Sequence, residues 1–246
     1  MISRFIKILT GKRGTGRNYG EDDLAFDERD IGMRTGKSTN STEDDIFNAL
    51  TWIEADASPF GIRILDCRPT ALGLTAVTRN PAIATLFLEL RNSDGGGLQD
   101  SEPEAPVTID CDLKYEYEGD VAEAGALFRA AEMEDKWDIS VYGKRLYFQR
   151  SWTGRLIFVA YFTQENGNVR IRSVKAASKS INATRSDAVG MVDFLIRSHL
   201  FGQECPHPIP HDIPEDERLI ALYSFSEYGR WGTFAAHVKE YKHDGN

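Results

Sequence analysis

The stretch W-D-I-S-V-Y-G-K-R-L-Y-F-Q-R-S-W-T-G-R-L-I-F-V-A-Y-F-T-Q-E-N-G-N-V-R-I-R-S-V-K, residues Trp137 to Lys175, decides the fold. Its β-branched and aromatic residues fall into four runs, divided by Gly143, by Thr153–Gly154 and by Asn166–Gly167–Asn168. Gly and Asn reach the positive φ that tight hairpin turns demand, so the runs predict an antiparallel meander. The third run, Leu156 to Phe162, is apolar on both alternating faces, as suits a central strand covered on both sides.

On the N-terminal side of the meander, Val107 to Tyr117 alternates apolar and polar residues without error and predicts a strand. Between the two, Ala124, Leu127, Phe128 and Ala131 suggest a helix over about Val121 to Met133, capped by Asp120. Further upstream, Ser41-Thr42 followed by three acids opens a helix whose apolar face is Ile46, Leu50 and Ile53, ended by Ser58-Pro59. Strands are expected over Gly61 to Cys67 and Leu74 to Thr78, and Asn80-Pro81 starts another helix. Downstream, a helix from Ser186 runs to Leu200 and stops at Gly202. The Pro-rich run Gln203 to Pro214 reads as an extended surface loop, and a last helix from Pro214 ends at Gly229. The fold class is therefore α+β: an antiparallel sheet with a central β-meander, flanked by helices. Residues 1–40 are expected to form an N-terminal arm, and 41–246 one α+β domain.

The net charge of −9 is unevenly spread. Residues 136–197 carry 11 Lys and Arg against 4 Asp and Glu, a local +7, whereas the rest carries 18 against 34, or −16. An acidic chain argues against general nucleic-acid binding, which rests on clustered positive charge, while a local basic face still suits an anionic ligand or an acidic partner. The odd, widely spaced cysteines Cys67, Cys111 and Cys205 point to a reducing, cytoplasmic setting rather than a disulfide framework. No apolar run approaches the roughly 20 residues of a membrane span. The segment M-I-S-R-F-I-K-I-L-T-G-K-R places Ile2, Phe5, Ile6 and Leu9 on one helical face, with Arg4, Lys7, Lys12 and Arg13 on or beyond the other. Two turns make a weak membrane anchor, so docking on the protein's own body or on a partner is the expectation. The Gly-, Ser- and charge-rich residues 11–41 read as a linker. Within it, Gly32 to Ser38 has G-x3-G-K-S spacing, not the G-x4-G-K-[ST] of a phosphate-binding loop, and no buried strand precedes it.

Three groups of residues are candidates for function. The turn Arg150-Ser151-Trp152-Thr153-Gly154-Arg155, with Arg170 and Arg172 on one face of the fourth run, offers Trp and Arg, the residues that dominate binding hot spots. The same turn instead pins the sheet to a helix if these side chains stack inward. For nucleophilic catalysis Cys67 is the candidate thiol, with His199 or His207 as a base brought from elsewhere in the chain. Cys205, His207 and His211 are of metal-ligand type, but the intervening prolines oppose convergence on a tetrahedron, and no metal or other cofactor is expected. The outward carboxylates Asp110 and Asp112 suit either a cation or a solvated sheet face.

Together, Leu146 to Gly154 (L-Y-F-Q-R-S-W-T-G), Val192 to Leu200 (V-D-F-L-I-R-S-H-L) and Pro206 to Pro210 (P-H-P-I-P) resemble a family of uncharacterised bacterial proteins sharing an F-x-R-S-W-T-G box. The resemblance implies a bacterial cytoplasm and no activity. The expected function is a non-enzymatic binding protein that contacts another protein through a basic Arg/Trp sheet surface. A hydrolase-type enzyme using Cys67 or a Cys/His cluster, and an anionic-ligand module, are the alternatives.

Overall fold

The computed structural model describes residues 31–35, 43–178 and 185–237. The N-terminal segment 1–13, most of the linker and the hydroxyl cap at Ser41-Thr42 lie outside them. The first elements are β1 (Ile31–Thr35), α1 (Glu43–Asn48), β2 (Thr51–Ile53), β3 (Ile64–Asp66), α2 (Arg68–Gly73), β4 (Leu74–Thr78) and α3 (Pro81–Arg91). The meander and its neighbours follow as β5 (Pro106–Glu116), β6 (Ala124–Phe128), β7 (Trp137–Tyr142), β8 (Arg145–Arg150), β9 (Leu156–Glu165) and β10 (Asn168–Ala177). The last elements are α4 (Arg185–Leu195), β11 (His207–Ile209), α5 (Glu217–Tyr228) and β12 (Phe234–His237). The fold is α+β.

The meander forms as its turn residues dictate. Strands β5 to β10 make one antiparallel sheet of order β5-β10-β9-β8-β7-β6. Asn166 and Gly167 both take positive φ, 51° and 73°, as a two-residue primed turn between β9 and β10 requires. Strand β9 runs through the interior of the sheet, and Leu156 to Ala160 are buried on both faces. On one face Phe158 and Ala160 join Phe148, Ile139 and Ile171 in a core completed by Val192, Phe194 and Leu195 of α4. On the other, Tyr147, Leu156 and Val159 pack under Leu98. The loop after α3 is strapped over that face by Arg145 to Asp100 at 2.9 Å and Lys175 to Glu102 at 2.8 Å.

A second, four-stranded sheet has the order β11-β12-β3-β2, with β11 and β12 parallel and the other pairs antiparallel. Its core is Leu65, Cys67, Ile209 and Ala235, closed by Phe47 of α1 and Ile220 and Ala221 of α5. Strands β1 and β4 form a separate antiparallel pair.

The helix starts match their caps. Asn80 accepts from the Ala82 amide at 3.0 Å ahead of α3, and Asp216 accepts from the Leu219 amide at 2.9 Å ahead of α5. Gly229 stops α5 at φ 59°, where a Cβ would stand 1.6 Å from the Glu134 carbonyl oxygen.

Three expectations are corrected. The helix over Val121 to Met133 is instead β6, paired with β7; Gly125 has φ 114°, which no helix contains, and sheet pairing overrides the helical spacing of the alanines. The helix expected from Ser41 to Ser58 stops at Asn48, because Thr51–Ile53 pairs with β3. The Pro-rich run is not a surface cover throughout: Pro206 to Pro210 are buried, and β11 lies at the edge of the second sheet, the position in a sheet that tolerates proline. The helix from residue 185 does reach Leu200, but its last turn, Ile196–Leu200, is a π turn, with the Phe201 amide bonding the Ile196 carbonyl at 3.1 Å.

Candidate functional site

The Arg/Trp turn faces inward. Trp152 is 3% exposed, and its indole N–H donates to the Met133 carbonyl at 2.8 Å. The Lys136 ammonium sits 4.4 Å over its ring. The Arg150 guanidinium donates to the Ser226 and Glu227 carbonyls at 2.9 and 3.0 Å and pairs with the Glu227 carboxylate at 3.3 Å. These are among the last carbonyls of α5, which have no partner within the helix, so the half-buried guanidinium satisfies them and complements the helix dipole. Arg150 thus pins the sheet to α5, and Trp152 packs with Phe225 of that helix and with Ile83 and Phe87 of α3, so both side chains are engaged within the fold. Arg155 is exposed.

Of the remaining basic residues of the sheet, Arg145, Arg170 and Lys175 are paired with acids. Arg170 makes a bidentate pair with Asp112 across β10 and β5, and this holds the Asp112 carboxyl below its usual range. Arg172 is exposed where the register of β10 slips, between Ile171 and Ser173, while Val169 and Ile171 take the core side. With Arg145 and Lys175 paired as well, the local excess of positive charge does not make a bare basic face.

Cys67, at the end of β3, does not meet a histidine directly. Its Sγ lies 3.6 Å from Ser224 Oγ, which lies 2.8 Å from His207 Nε2. The Ser224 hydroxyl is also 2.8 Å from the Ile220 carbonyl, and His207 Nδ1 is 3.2 Å from the Pro208 carbonyl. Thiol, hydroxyl and imidazole form a line, and all three residues are 0% exposed. Burial pushes the Cys67 thiol up to about 12 and the His207 imidazole down to about 3. The thiol therefore stays protonated and the ring neutral, and neither has surface exposed to a substrate. His199 belongs elsewhere, on the π turn, with its ring stacked 4.7 Å from Trp231 and edge-on to Phe128. Its Nδ1 is 2.8 Å from Ser198 Oγ, and burial again drives the ring down to about 3.

The residues of metal-ligand type diverge. His207 is interior, Cys205 lies near Asp193 and Arg197, and His211 is exposed 3.5 Å from Asp187. Among the described residues no three His, Cys, Asp or Glu side chains are grouped to hold a metal.

What opens instead is an apolar pocket of ≈ 170 Å³ at one end of the six-stranded sheet. Its floor is Tyr115, Leu146, Phe162, Val169 and Ile171, contributed by the adjacent strands β5, β10, β9 and β8. Ile196, Leu200 and Phe201 wall it from the π turn, and Tyr117, Val121, Ala122 and Leu127 close the remaining side. The extra residue in each π turn shifts the side chains that follow, and such turns recur at functional sites. The wall is held open by polar anchors outside the apolar lining. The Tyr115 hydroxyl donates to Asp193 at 2.8 Å, and Asp193 is itself held by Arg197 at 3.0 Å. Gln164 accepts from the Val121 amide at 3.1 Å and donates to the Gly119 carbonyl, which fixes the loop between β5 and β6.

That loop is acidic: Glu118, Asp120 and Glu123, with Glu116 at the end of β5, are all exposed beside lining residues. The sequence gives one signal of this site, the apolar face of β5 that ends in Tyr115 and Tyr117. The second wall depends on a π turn, which has no sequence signature.

Among the described residues no helix is long and apolar enough to cross a membrane. Comparison of the chain with family models, with curated proteins and with solved structures finds no match.

Proposed function

We propose that this is a non-enzymatic binding protein that takes an apolar group of a protein partner into the pocket between the six-stranded sheet and the π turn. The observation that carries the reading is the preformed apolar pocket, walled from two sides, with its neighbouring polar groups already satisfied by one another. A cavity of about 150 Å³ suffices to hold benzene, so there is room for about one aromatic side chain. The reactive types of side chain, Cys67 and His207, lie in sealed surroundings. The contact is thus assigned to the pocket rather than to the Arg/Trp turn, whose cation and ring are engaged within the fold. All three thiols are free, which suits the reducing bacterial cytoplasm suggested by the sequence.

Titration with 1-aminonaphthalene, a neutral fluorophore, tests the reading. Saturable enhancement is expected, and Leu200→Trp, which fills the pocket from its half-exposed wall, should abolish it while circular dichroism stays unchanged. Equal binding by the two proteins would place the probe elsewhere and remove the support for this function.

A further inference from the structure

We infer that the pocket is regulated from within the chain: residues 2–13 occupy it as a tethered competitor that an external partner must displace. The inference rests on the binding function proposed above and adds its control.

The argument starts from charge. The pocket's mouth is flanked by Glu116 at the end of β5 and by the loop carrying Glu118, Asp120 and Glu123, with no Lys or Arg among residues 116–123. All four acids are exposed. Two cations also border the lining, Lys144 at 5.5 Å over the Phe162 ring and Arg197 at 5.6 Å from the Tyr115 ring. Arg197 is paired with Asp193, so the flank stays net acidic and favours an occupant that is apolar where it enters and cationic where it lies against the loop. Residues 1–13 have that composition: Ile2, Phe5, Ile6 and Leu9 share a face at helical spacing, Arg4, Lys7, Lys12 and Arg13 supply four cations, and no acid is present. The apolar volume admits about one aromatic side chain, which suits Phe5, with Ile2, Ile6 and Leu9 left to cover the half-exposed walls at Leu200 and Phe201.

Reach is not limiting. Residues 14–30 lie between the segment and β1 and can span up to roughly 60 Å, about three times the radius of gyration of about 18 Å for a compact chain of this length. A tether of that kind gives an effective concentration near the millimolar range, so even a weak contact is occupied for much of the time. The bare attraction between four cations and four carboxylates on a solvated surface is screened by salt, which gives the device a measurable signature.

The test uses the full-length chain and 1-aminonaphthalene as probe. Phe5→Asp with Ile6→Asp is expected to raise probe affinity roughly tenfold, the factor by which a pocket filled for nine-tenths of the time discounts it. Arg4→Glu with Lys7→Glu, which leaves every apolar residue in place, should act in the same direction. Raising salt from 50 to 500 mM should tighten probe binding to the unaltered chain and leave the Phe5/Ile6 variant unchanged. A synthetic peptide of residues 1–13 should displace the probe from that variant. Unchanged affinity in both variants, or a peptide that fails to compete, overturns the inference while leaving the pocket's binding function standing. A probe that saturates neither the unaltered chain nor the variants overturns the binding function itself. An affinity gain that depends on protein concentration would assign the segment to a second copy and overturn the intramolecular form.

Discussion

The two sheets divide chemistry from access. In the four-stranded sheet, Cys67, Ser224 and His207 stand in a line that resembles a nucleophile with its base, yet none has any exposed surface. In the six-stranded sheet an open pocket is lined almost wholly by side chains that react with nothing. Reactive residue types therefore mislead here, because the buried thiol and imidazole are each satisfied by the Ser224 hydroxyl that lies between them. What matters is which surface a ligand reaches.

The join between the two regions should be the most fragile point. Gly229 ends α5, and its Cα backs onto the Glu134 carbonyl just before β7. Gly229→Ala is expected to cost more than about 4 kcal/mol, since the new Cβ overlaps backbone that cannot move aside, at a φ that L-residues avoid. A urea titration of that variant measures it, and near-native stability would show that the two regions are joined more loosely than described.

The next effect belongs to the sealed line. His207 is neutral when folded, with a pKa pushed down to about 3, but titrates near 6.5 when unfolded. Between these values the unfolded chain binds the extra proton, so stability is fully present above about pH 6.5 and declines as pH falls toward 3. At pH 4.5 the loss from this ring should be about 2–3 kcal/mol. His199, likewise driven down to about 3, adds its own contribution in the same window. Comparing urea midpoints at pH 7.5 and 4.5 in the unaltered chain and in His207→Gln isolates the His207 share. An identical drop in both would mean that this ring is not sealed.

Thiol labelling sharpens the contrast at lower cost to the fold. Cys67 should react with a maleimide at least about a hundredfold more slowly than Cys111 or Cys205, because it becomes accessible only through opening of the structure. Labelling of Cys67 as fast as the half-exposed thiols would restore the catalytic alternative.

How much of this was legible follows from which interactions are local. Gly143, Gly154 and Asn166–Gly167 announce the hairpins because positive φ is a demand of the residue itself. Asn80-Pro81 announces α3 for the same kind of reason. The run from Ala124 to Phe128 gave the opposite result. Its alanines at helical spacing are met by an edge of β7 that no local signal reveals, and pairing decides. β2, β11 and β12 are three or four residues long, too short to carry a period, and exist because each completes a neighbour. Arg150 and Trp152 were visible as a distinctive pair, but only α5, more than sixty residues away in the chain, determines that they point inward. The pocket was half-legible. β5 shows its apolar face, while the wall from Ile196 to Leu200 depends on how the end of a helix is wound.

The smallest effect is expected on the sheet's outer face. Replacing Arg170 and Arg172 together by Ser should hardly shift the melting temperature, since both side chains are solvated and the Asp112 pair is exposed. It should also leave 1-aminonaphthalene binding unchanged, because neither residue lines the pocket. A loss of binding would return the contact to the basic face.

The account's central claim, that access lies at the pocket and nowhere near the sealed line, is tested most directly by methyl-resolved NMR during titration with benzene. The predicted result is saturable shifts confined to the lining methyls of Val121, Leu127, Leu146, Val169, Ile171, Ile196 and Leu200, with Leu65, Ile209 and Ile220 unmoved. Shifts at Leu65, Ile209 and Ile220 with the pocket methyls silent would contradict it.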